Sequence, residues 1–335
     1  MDWGLLNKAV RRIPRVDKAQ WDGLDVFSRW LIVTRAAVLI ITFIPCALAG
    51  LLAYRNGAFD SWLWCCVTVG LLLAHATNNI LNDIIDHRKG VDKGNYFRAQ
   101  YGAHPLEHGF MTIRQALAYA AVTGGAALAV GAYLIYLRGG LALGLTVVGA
   151  FFVLFYTWPL KYIGLGEVAV LAVWGPLMTG GAYFIITGAW DWAIALWSLP
   201  YAIGATTVLF GKHIDKLADD KAKGIRTLPV LLGEPTARAA TLALMASQYV
   251  LVAVLVLTKM ASPFLLIALV GLTTARPITM VFRTPRPTER PDFVPEDIWP
   301  LYFVAAAFYH SRKFGVYFLL GLLADVALRA AGVIA

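Results

Sequence analysis

Charged residues and cysteines are both scarce in this chain. Only 15% of its 335 residues are charged, and it contains three cysteines. Because soluble domains carry about 25% charged residues, this composition argues against a soluble globular protein. The cysteines show neither a disulfide framework nor a zinc-site spacing, and we expect them to be packing residues. Residues 1–28 are polar and basic without a short apolar core, so no signal peptide is expected there.

Apolar residues dominate instead. They make up 59% of the chain, the mean hydropathy is +0.66, and apolar runs near the roughly 20 residues that cross a bilayer recur throughout. These runs do not alternate with polar residues, which favours helices over a barrel. Nine spans are predicted, at 29–54, 60–86, 112–136, 140–158, 166–187, 191–211, 237–258, 262–282 and 313–333. A shorter apolar piece at 298–310 is interpreted as a half-helix or a lead-in to the last span.

The expected class is therefore an all-α polytopic membrane protein. Residues 1–28 are predicted to form an N-terminal segment, and residues 29–335 a single transmembrane domain without a separate soluble one. We expect about nine transmembrane helices to enclose a central cavity that cytoplasmic loops cap.

The net charge of +9 is distributed unevenly. With nine spans, most lysines and arginines fall in the N-terminal segment and in the loops 87–111, 212–236 and 283–297. The opposite side receives Arg55, Arg138, Lys259 and Arg329. The positive-inside rule then places the N-terminus and the basic loops in the cytoplasm of a cell-membrane protein. Because the basic residues fringe membrane helices, we expect anionic lipid or an anionic substrate to be their partner, and not nucleic acid.

The first acidic cluster ends an apolar run and reads NNILNDIIDHRKGVD, residues 78–92. On a helix it forms two neighbouring stripes, Asn78, Asn82 and Asp86 in one and Asn79 and Asp83 in the other. Gly90 then permits a turn that brings Asp92 back toward the same place.

The second acidic cluster reads DKLADDKAKG, residues 215–224. Asp215 and Asp219 are spaced i, i+4, with Asp220 adjacent, and carboxylates at that spacing repel each other on a bare helix. An acidic helix end is often merely solvated. Two such clusters on the same side, each beside basic residues, instead favour a bound cation, and oxygen-only ligands indicate Mg²⁺.

Basic side chains near both clusters can hold the phosphate oxygens that a metal leaves free. They are Lys89, Lys93, Lys212, Lys216, Lys221, Lys223 and Arg226. A metal ion and cations around a diphosphate stabilise it as a leaving group, and an apolar cavity beside them would suit a hydrocarbon tail.

These motifs resemble those of the UbiA superfamily of intramembrane prenyltransferases over roughly residues 28–285. NDIIDHRKGVD is similar to the first Asp-rich motif of the branch that prenylates 1,4-dihydroxy-2-naphthoate for menaquinone, and DKLADDKAKGIRTLPVLLG resembles the second motif. WLIVTRAAVL, which contains Arg35, resembles the first-helix segment, and YTWPLKYIGLGE resembles the tyrosine–lysine segment. Nine helices is also the count of the superfamily.

The resemblance implies roles for individual residues. The Mg²⁺ ligands would be Asn82, Asp86, Asp215 and Asp219, with Asp83 and Asp92 in support. The diphosphate would be contacted by Arg35, Lys161 and Lys212 or Lys216, in addition to Lys89 and Arg226 from the basic sets above. Arg35 also fits an interfacial arginine that snorkels to the membrane surface.

Asp86, Asp219 and Tyr156 are the expected catalytic residues. Tyr156 would face the nascent allyl cation or the acceptor, because an aromatic face attracts a cation. Phe152, Phe155 and Trp174 are expected to pack.

The chain departs from the family pattern at three places. Four residues separate Tyr156 from Lys161, where the family often has a shorter interval. GAHPLEHGFMT, which follows the first motif, lacks the arginine of the menaquinone branch. In the second motif Asp220, not Asp219, stands at the usual distance from Gly224. The segment 286–335 resembles nothing that we can place.

Three histidines accompany the motifs. We expect His75, on an apolar helix, to be a packing residue and not a ligand. His104 and His108 are expected to be solvated loop residues, with acid–base or acceptor contacts as the alternative.

The predicted function is Mg²⁺-dependent transfer of a polyprenyl group from its diphosphate to an aromatic, naphthoate-like or hydroxybenzoate-like acceptor in quinone or related lipid biosynthesis. Alternatives are haem, chlorophyllide or glycerol-phosphate acceptors and, from another class, a cation-coupled secondary transporter with acidic residues near the bilayer midplane. The expected partners are the polyprenyl diphosphate, the acceptor and the bilayer, and no obligatory protein partner is evident.

Overall fold

The structure of the protein, a computed structural model, describes Pro14, residues 16–93, residues 102–296 and residues 298–333. Residues 1–13 and 15 of the predicted N-terminal segment, residues 94–101 of the first basic loop, and residues 297, 334 and 335 lie outside the described part. Within the described residues the regular structure is helical, apart from one bridge between Ile163 and Arg226. The predicted all-α class is confirmed.

The helices are numbered here in chain order. They are α1 (Lys18–Asp22), α2 (Val26–Val33), α3 (Ile40–Arg55), α4 (Ser61–Arg88), α5 (Ile113–Arg138), α6 (Gly140–Phe155), α7 (Gly166–Ala172), α8 (Gly181–Thr187), α9 (Trp192–Asp215), α10 (Leu217–Ala222), α11 (Leu228–Leu232), α12 (Glu234–Leu257), α13 (Ala275–Arg283) and α14 (Tyr302–Ala330). Short 3₁₀ helices span Ala36–Val38 and Leu160–Tyr162, a π-helix joins α7 to α8 over Val173–Gly180, and a 3₁₀ helix precedes α13 over Pro263–Thr274.

Seven helical segments of the described chain are long and apolar enough to cross a membrane. They are Ala36–Arg55, Ser61–Arg88, Ile113–Arg138, Gly166–Thr187, Trp192–Asp215, Glu234–Leu257 and Pro263–Arg283. The protein is therefore a multi-pass membrane protein. The predicted count of nine is not confirmed, because α6 is a shorter apolar helix and α14 carries charged residues along its length.

Two predicted spans have different boundaries in the structure. The expected helix over 29–54 is interrupted at Arg35, which adopts a left-handed conformation (φ 54°) between α2 and Ala36–Val38. The apolar piece predicted at 298–310 is largely the beginning of α14, which runs without a break from Tyr302 to Ala330. The predicted first span therefore begins at Ala36 and not at residue 29, because Arg35 turns out of the helix toward polar partners on α4.

The chain divides into two compact units. The first comprises the described residues of Met1–Ile44 and Cys65–Pro159, and the second comprises those of Pro45–Trp64 and Leu160–Ala335. That residues 29–335 form a single domain stays a prediction.

The first unit is built around α4, which carries the first acidic motif at its end. Close helix contact occurs at Gly124 on α5, where an added Cβ would lie 3.2 Å from the Thr77 side chain. Lipid supplies little hydrophobic drive for helices to associate, so small residues and hydrogen bonds at such contacts matter more than in water. The Trp30 indole accordingly donates to Thr123 Oγ1 over 2.9 Å. An apolar cluster that includes Trp21, Ile80 and Ile84 packs beside the end of α4.

The second unit is organised around α9, which packs against α12 and α14. At Gly211 an added Cβ would lie 2.7 Å from the Phe303 carbonyl oxygen, so only glycine permits this approach of α9 to α14. Gln248 on α12 donates to the Pro200 carbonyl over 2.7 Å, which satisfies a carbonyl on the buried face of α9. These contacts hold the end of α9, where the second acidic motif begins.

Candidate active site

The first acidic motif is held by an arginine from the preceding span. The left-handed conformation of Arg35 directs its guanidinium to α4, where Nη2 forms an ion pair with Asp83 Oδ1 and lies 3.4 Å from Asn82 Oδ1. Both partners are largely shielded, since the side chains of Arg35 and Asp83 are 15% and 7% exposed. An interfacial arginine that snorkels to the surface would be more exposed than this. Arg35 is therefore paired with the first acidic motif, and its contact with phosphate stays a prediction.

The asparagines of the motif fasten α4 to neighbouring segments. Asn79 donates to the Thr34 carbonyl over 2.9 Å, just before the left-handed residue at position 35. Asn78 donates to the Val153 carbonyl on α6 over 2.9 Å, and Asn82 donates to Thr157 Oγ1 over 3.0 Å. Because the amide of Asn82 donates to Thr157, its Oδ1 is the atom that a metal ion or Arg35 can use.

A turn at Gly90 brings Asp92 back to the helix, as predicted. Gly90 has φ 67°, and the N–H of Val91 donates to the Asp86 carbonyl over 2.9 Å, which closes the end of α4. The Asp92 carboxylate is buried, and its ligand oxygen lies within 4.8 Å of that of Asp83.

His104 joins these two carboxylates. Its Nε2 lies 2.9 Å from Asp92 Oδ2 and 3.9 Å from Asp83 Oδ1. Its Nδ1 accepts the backbone N–H of Glu107 over 3.4 Å, so Nε2 carries the hydrogen that Asp92 accepts. The prediction that His104 is solvated was wrong, because it is only 2% exposed, whereas His108 in the same loop is exposed as predicted. His75 is a packed histidine, as predicted, with Nδ1 2.8 Å from Thr42 Oγ1.

The remaining predicted residues of the first unit differ in exposure. Asp86 is buried, one helical turn beyond Asn82. Lys89 is exposed, and its Nζ lies 5.2 Å from the centre of the Trp158 ring. Tyr156 is half-buried at the C-terminus of α6, where its N–H donates to the Phe152 carbonyl. Of the aromatic residues expected to pack, Phe155 is exposed.

The second acidic motif differs from the predicted helix. α9 ends at Asp215 and α10 begins at Leu217, so Asp215 and Asp219 are four positions apart in sequence but do not share one continuous helix. Asp215 instead accepts two backbone N–H groups from the first turn of α14, those of Phe303 at 3.1 Å and Val304 at 2.9 Å. The unpaired N–H groups of a helix N-terminus attract a carboxylate, which accounts for this contact of Asp215 with α14.

The pair that does follow the i, i+4 rule is Lys216 and Asp220. Lys216 Nζ lies 3.6 Å from Asp220 Oδ1, and Asp220 is buried while Asp219 is exposed. The assignment of Asp215 and Asp219 as metal ligands stays a prediction.

The predicted phosphate-binding residues of the second unit have different exposures. Lys161 is buried, with Nζ 5.9 Å from the centre of the Tyr162 ring. Lys212 is half-buried on the last turn of α9, and Arg226 is exposed beside the backbone bridge to Ile163. The bridge holds the lysine segment next to the chain that follows the second motif.

Sequence reasoning missed a buried pair that supports the second motif. Glu167 Oε1 accepts from His213 Nδ1 over 2.6 Å, and Glu167 Oε2 accepts the N–H of Leu228 over 3.2 Å. Glu167 is 1% exposed and His213 3% exposed. A charged residue in the apolar stretch GLGEVAVLAVW was the available signal, because a buried carboxylate requires a partner. This glutamate joins α7, α9 and the start of α11.

The donor set of the first unit fits a magnesium ion. Buried carboxylate oxygens of Asp83 and Asp92 lie together, and Mg²⁺ is typically bound by one or two carboxylates with water and substrate phosphates in its other positions. His104 offers a nitrogen atom, and Mg²⁺ prefers oxygen ligands to nitrogen. Its hydrogen bond to Asp92 is typical of a residue that orients a metal ligand.

A polytopic helical fold with a carboxylate cluster, an arginine and lysines at the ends of apolar helices is typical of a functional site in a membrane protein, because ionisable residues in such helices are otherwise costly. The model of the UbiA prenyltransferase family matches residues 43–294. The chain belongs to the UbiA prenyltransferase family and is a prenyltransferase.

Curated relatives of this chain come from animals and bacteria. It is 27% identical over 240 residues to UbiA prenyltransferase domain-containing protein 1 of Danio rerio, covering 66% of this chain and 68% of that protein. It is also 27% identical over 251 residues to 1,4-dihydroxy-2-naphthoate octaprenyltransferase of Bacillus subtilis (strain 168), covering 74% of this chain and 79% of the relative.

Solved structures share the fold. An apo UbiA homolog from Aeropyrum pernix K1 superimposes with a TM-score of 0.62 at 20% identity, covering 85% of this chain and 97% of the homolog. A UbiA homolog from Archaeoglobus fulgidus bound to DMAPP and Mg²⁺ gives a TM-score of 0.51 at 17% identity, covering 88% and 99%.

Proposed function

We propose that this prenyltransferase transfers a polyprenyl group from its diphosphate to an aromatic acceptor of the naphthoate or hydroxybenzoate type, with Mg²⁺ as cofactor. The observation that carries the proposal is the buried cluster of Asp83, Asp92 and His104 at the end of an apolar helix, beside the Arg35 guanidinium. The Bacillus subtilis relative named for a naphthoate supports the acceptor class, and the Archaeoglobus fulgidus homolog solved with DMAPP and Mg²⁺ supports the donor and the metal.

In the proposed site the acidic motifs hold Mg²⁺, which would neutralise the negative charge of the leaving diphosphate. The ligands in this proposal are Asn82, Asp83, Asp86, Asp92, Asp215 and Asp219. Arg35, Lys89, Lys161, Lys212, Lys216 and Arg226 are proposed to contact phosphate oxygens as charge-assisted donors.

The proposed reaction exchanges one bond for another. The allylic C–O bond breaks and its electron pair leaves with the diphosphate. A ring carbon of the acceptor donates an electron pair to the allylic carbon, and the substituent on that ring carbon leaves as a cation, in the simplest case a proton. The Tyr156 ring is proposed to face the developing allyl cation. Water would quench this cation, so an apolar surrounding favours transfer over hydrolysis.

We also propose that the N-terminus and the loops after α4 and α9 lie in the cytoplasm. Lysine and arginine are concentrated in these segments, whereas the connections near Arg55 and Lys259 carry few. The transporter alternative has less support, because Asp83 and Asp86 occupy the last two turns of α4 and not the middle of a span.

The test is a prenylation assay with the full chain in nanodiscs. Labelled geranylgeranyl and longer diphosphates would be supplied with Mg²⁺ and with a dihydroxynaphthoate, a hydroxybenzoate or a glycerol-phosphate acceptor. We expect transfer to an aromatic acceptor, loss of transfer with EDTA, and loss in Asp86→Asn. Asp22→Asn is the matched control, since Asp22 is an exposed carboxylate paired with Lys18.

Two outcomes contradict parts of the proposal. Transfer to the glycerol-phosphate acceptor alone would overturn the aromatic assignment. Prenyl-diphosphate binding that is unchanged both in Asp86→Asn and without Mg²⁺ would overturn the metal–diphosphate site.

A further inference from the structure

A cavity of about 360 Å³ lies in the second unit, at the end of α12 that is remote from the second acidic motif. It is lined by Val256 at the end of α12, by the loop residues Lys259 and Ser262, by Phe264, and by Arg329 near the end of α14. The second motif immediately precedes the start of α12 at Glu234, whereas the cavity follows its end at Leu257. It is therefore separate from the site proposed for prenyl transfer.

The Ser262 hydroxyl is the first sign of a ligand. Ser262 is 7% exposed, and its Oγ is buried without a hydrogen-bond partner among the described residues. It occupies the N-cap of the helix Pro263–Thr274, yet its side chain forms no capping hydrogen bond. Buried hydroxyls are nearly always hydrogen-bonded, so an unpaired one in the wall of a cavity indicates an acceptor supplied from outside.

Positive charge surrounds this hydroxyl. Lys259 is exposed and holds a left-handed conformation (φ 60°) directly after the C-cap of α12. Arg329 is anchored on Asp325 through Nε at 3.2 Å. The N-terminus of Pro263–Thr274 adds the partial positive charge of a helix start. The ligand that suits a hydroxyl donor among these groups is an anion.

Arg55 holds the loop in place. Its Nε lies 2.8 Å from Asp325 Oδ2, and its Nη2 donates to the Met260 carbonyl over 2.9 Å. Arg55 and Arg329 therefore both pair with Asp325, and Lys259 adds a third cation to the lining of the same region. The net charge of these four side chains is positive. The loop that carries Lys259 and Ser262 is attached to the buried Arg55–Asp325 ion pair through the hydrogen bond from Arg55 to Met260.

The rest of the lining is apolar, and apart from Ala261 in the loop it belongs to membrane-crossing segments. Val256 ends the span Glu234–Leu257, and Phe264, which is 40% exposed, begins the span Pro263–Arg283. A ligand here would have an anionic group against the loop and an apolar body along the helices. This is the chemistry of a phospholipid, whose phosphate lies at the level of helix ends.

We propose that this cavity binds the phosphate of an anionic phospholipid headgroup, with Ser262 Oγ as hydrogen-bond donor and Lys259 and Arg329 as its cations. No covalent step is involved. The lipid would hold the ends of α12 and α14 at the membrane surface opposite the second acidic motif.

Native mass spectrometry of the delipidated full chain tests this proposal, with phosphatidylglycerol, phosphatidylcholine and inorganic phosphate as separate probes. We expect phosphatidylglycerol to bind more tightly than phosphatidylcholine, because choline places a cation beside Lys259. Ser262→Ala and Lys259→Gly should each weaken phosphatidylglycerol binding by about tenfold, the usual effect of losing one hydrogen bond or ion pair to a charged group.

Both variants should fold. Alanine removes a hydroxyl that has no hydrogen-bond partner in the described part of the chain, and glycine relieves a left-handed backbone position. Arg283→Gln is the matched control, since Arg283 is exposed at the other end of the same span, Pro263–Arg283, and its loss should leave the affinity unchanged.

Equal binding of the two lipids, or unchanged affinity in Ser262→Ala and Lys259→Gly, would overturn the site. Binding of inorganic phosphate that phosphatidylglycerol does not displace would show a free-phosphate site and overturn the lipid assignment. None of these outcomes bears on the prenylation assay, so the two proposals fail independently.

Discussion

His104 Nε2 lies 2.9 Å from Asp92 Oδ2, and both side chains are buried at the end of α4. The loop after the first motif therefore contributes to the carboxylate cluster itself. Because Nδ1 accepts a backbone N–H, the imidazole has one orientation in which Nε2–H points at Asp92. In the proposed site His104 is a positioning residue that aims the Asp92 carboxylate.

His104→Ala should therefore lower prenyl transfer and weaken the apparent Mg²⁺ affinity by about tenfold each, the usual loss for a hydrogen bond to a charged group. His104→Gln retains a donor and should restore part of both. The measurement is the initial rate as a function of Mg²⁺ concentration. His108→Ala, in the exposed neighbour, should match the parent, and a rate loss in His104→Ala without any change in Mg²⁺ dependence would contradict the positioning role.

Arg35→Ala should destabilise the protein as well as inactivate it. The Asp83 carboxylate would lose its charge partner inside a membrane helix bundle, and removing one member of a buried pair costs about 3–5 kcal/mol. Thermal unfolding in detergent measures this loss. Lys18→Ala, which breaks an exposed pair with Asp22, should cost at most about 0.5 kcal/mol.

A second substitution separates stability from activity in this pair. Asp83→Asn in the Arg35→Ala background removes the uncompensated charge and should recover much of the unfolding temperature, while transfer stays low. If Arg35→Ala unfolds at the parent temperature, the Arg35–Asp83 pair does not support the fold.

Asp219 and Asp220 are adjacent in sequence but should behave oppositely. Asp220→Asn loses a buried ion pair with Lys216 and should destabilise by about 1–3 kcal/mol. Asp219→Asn alters an exposed side chain and should stay within about 0.5 kcal/mol of the parent, while weakening prenyl-diphosphate binding if it ligates Mg²⁺. Unfolding curves and a diphosphate binding assay on the same samples test both. Normal diphosphate binding in Asp219→Asn would remove Asp219 from the proposed ligand set.

Asp215→Ala should destabilise the protein by about 0.5–2 kcal/mol, because Phe303 and Val304 would lose the acceptor for their backbone N–H groups. The loss should be present without Mg²⁺ or substrate, since the capping contact involves only the chain. Unfolding with and without Mg²⁺ measures it. A loss that appears only with Mg²⁺ would instead show that Asp215 acts solely as a metal ligand.

The membrane helices and the first acidic motif were largely predictable from the sequence. The apolar runs indicated membrane helices, and the spacing of Asn82, Asp83 and Asp86 correctly placed the first acidic cluster at a helix end. The turn at Gly90 was also predicted correctly, since glycine favours a positive φ after a helix. The helices, the helix end and the turn each depend on residues a few positions apart, so the local sequence is enough to predict them.

The sequence by itself determined the class of protein, the positions of most spans and the place of the first acidic motif at a helix end, because hydropathy and helical spacing are local properties. Only the tertiary structure decided that Arg35 leaves its helix for Asp83, that Asp215 caps α14, and that His104 is buried against Asp92. Each of these depends on a partner brought near by folding: a buried charge or an unpaired N–H group takes the nearest compensating group in space, and spacing along the chain does not reveal it.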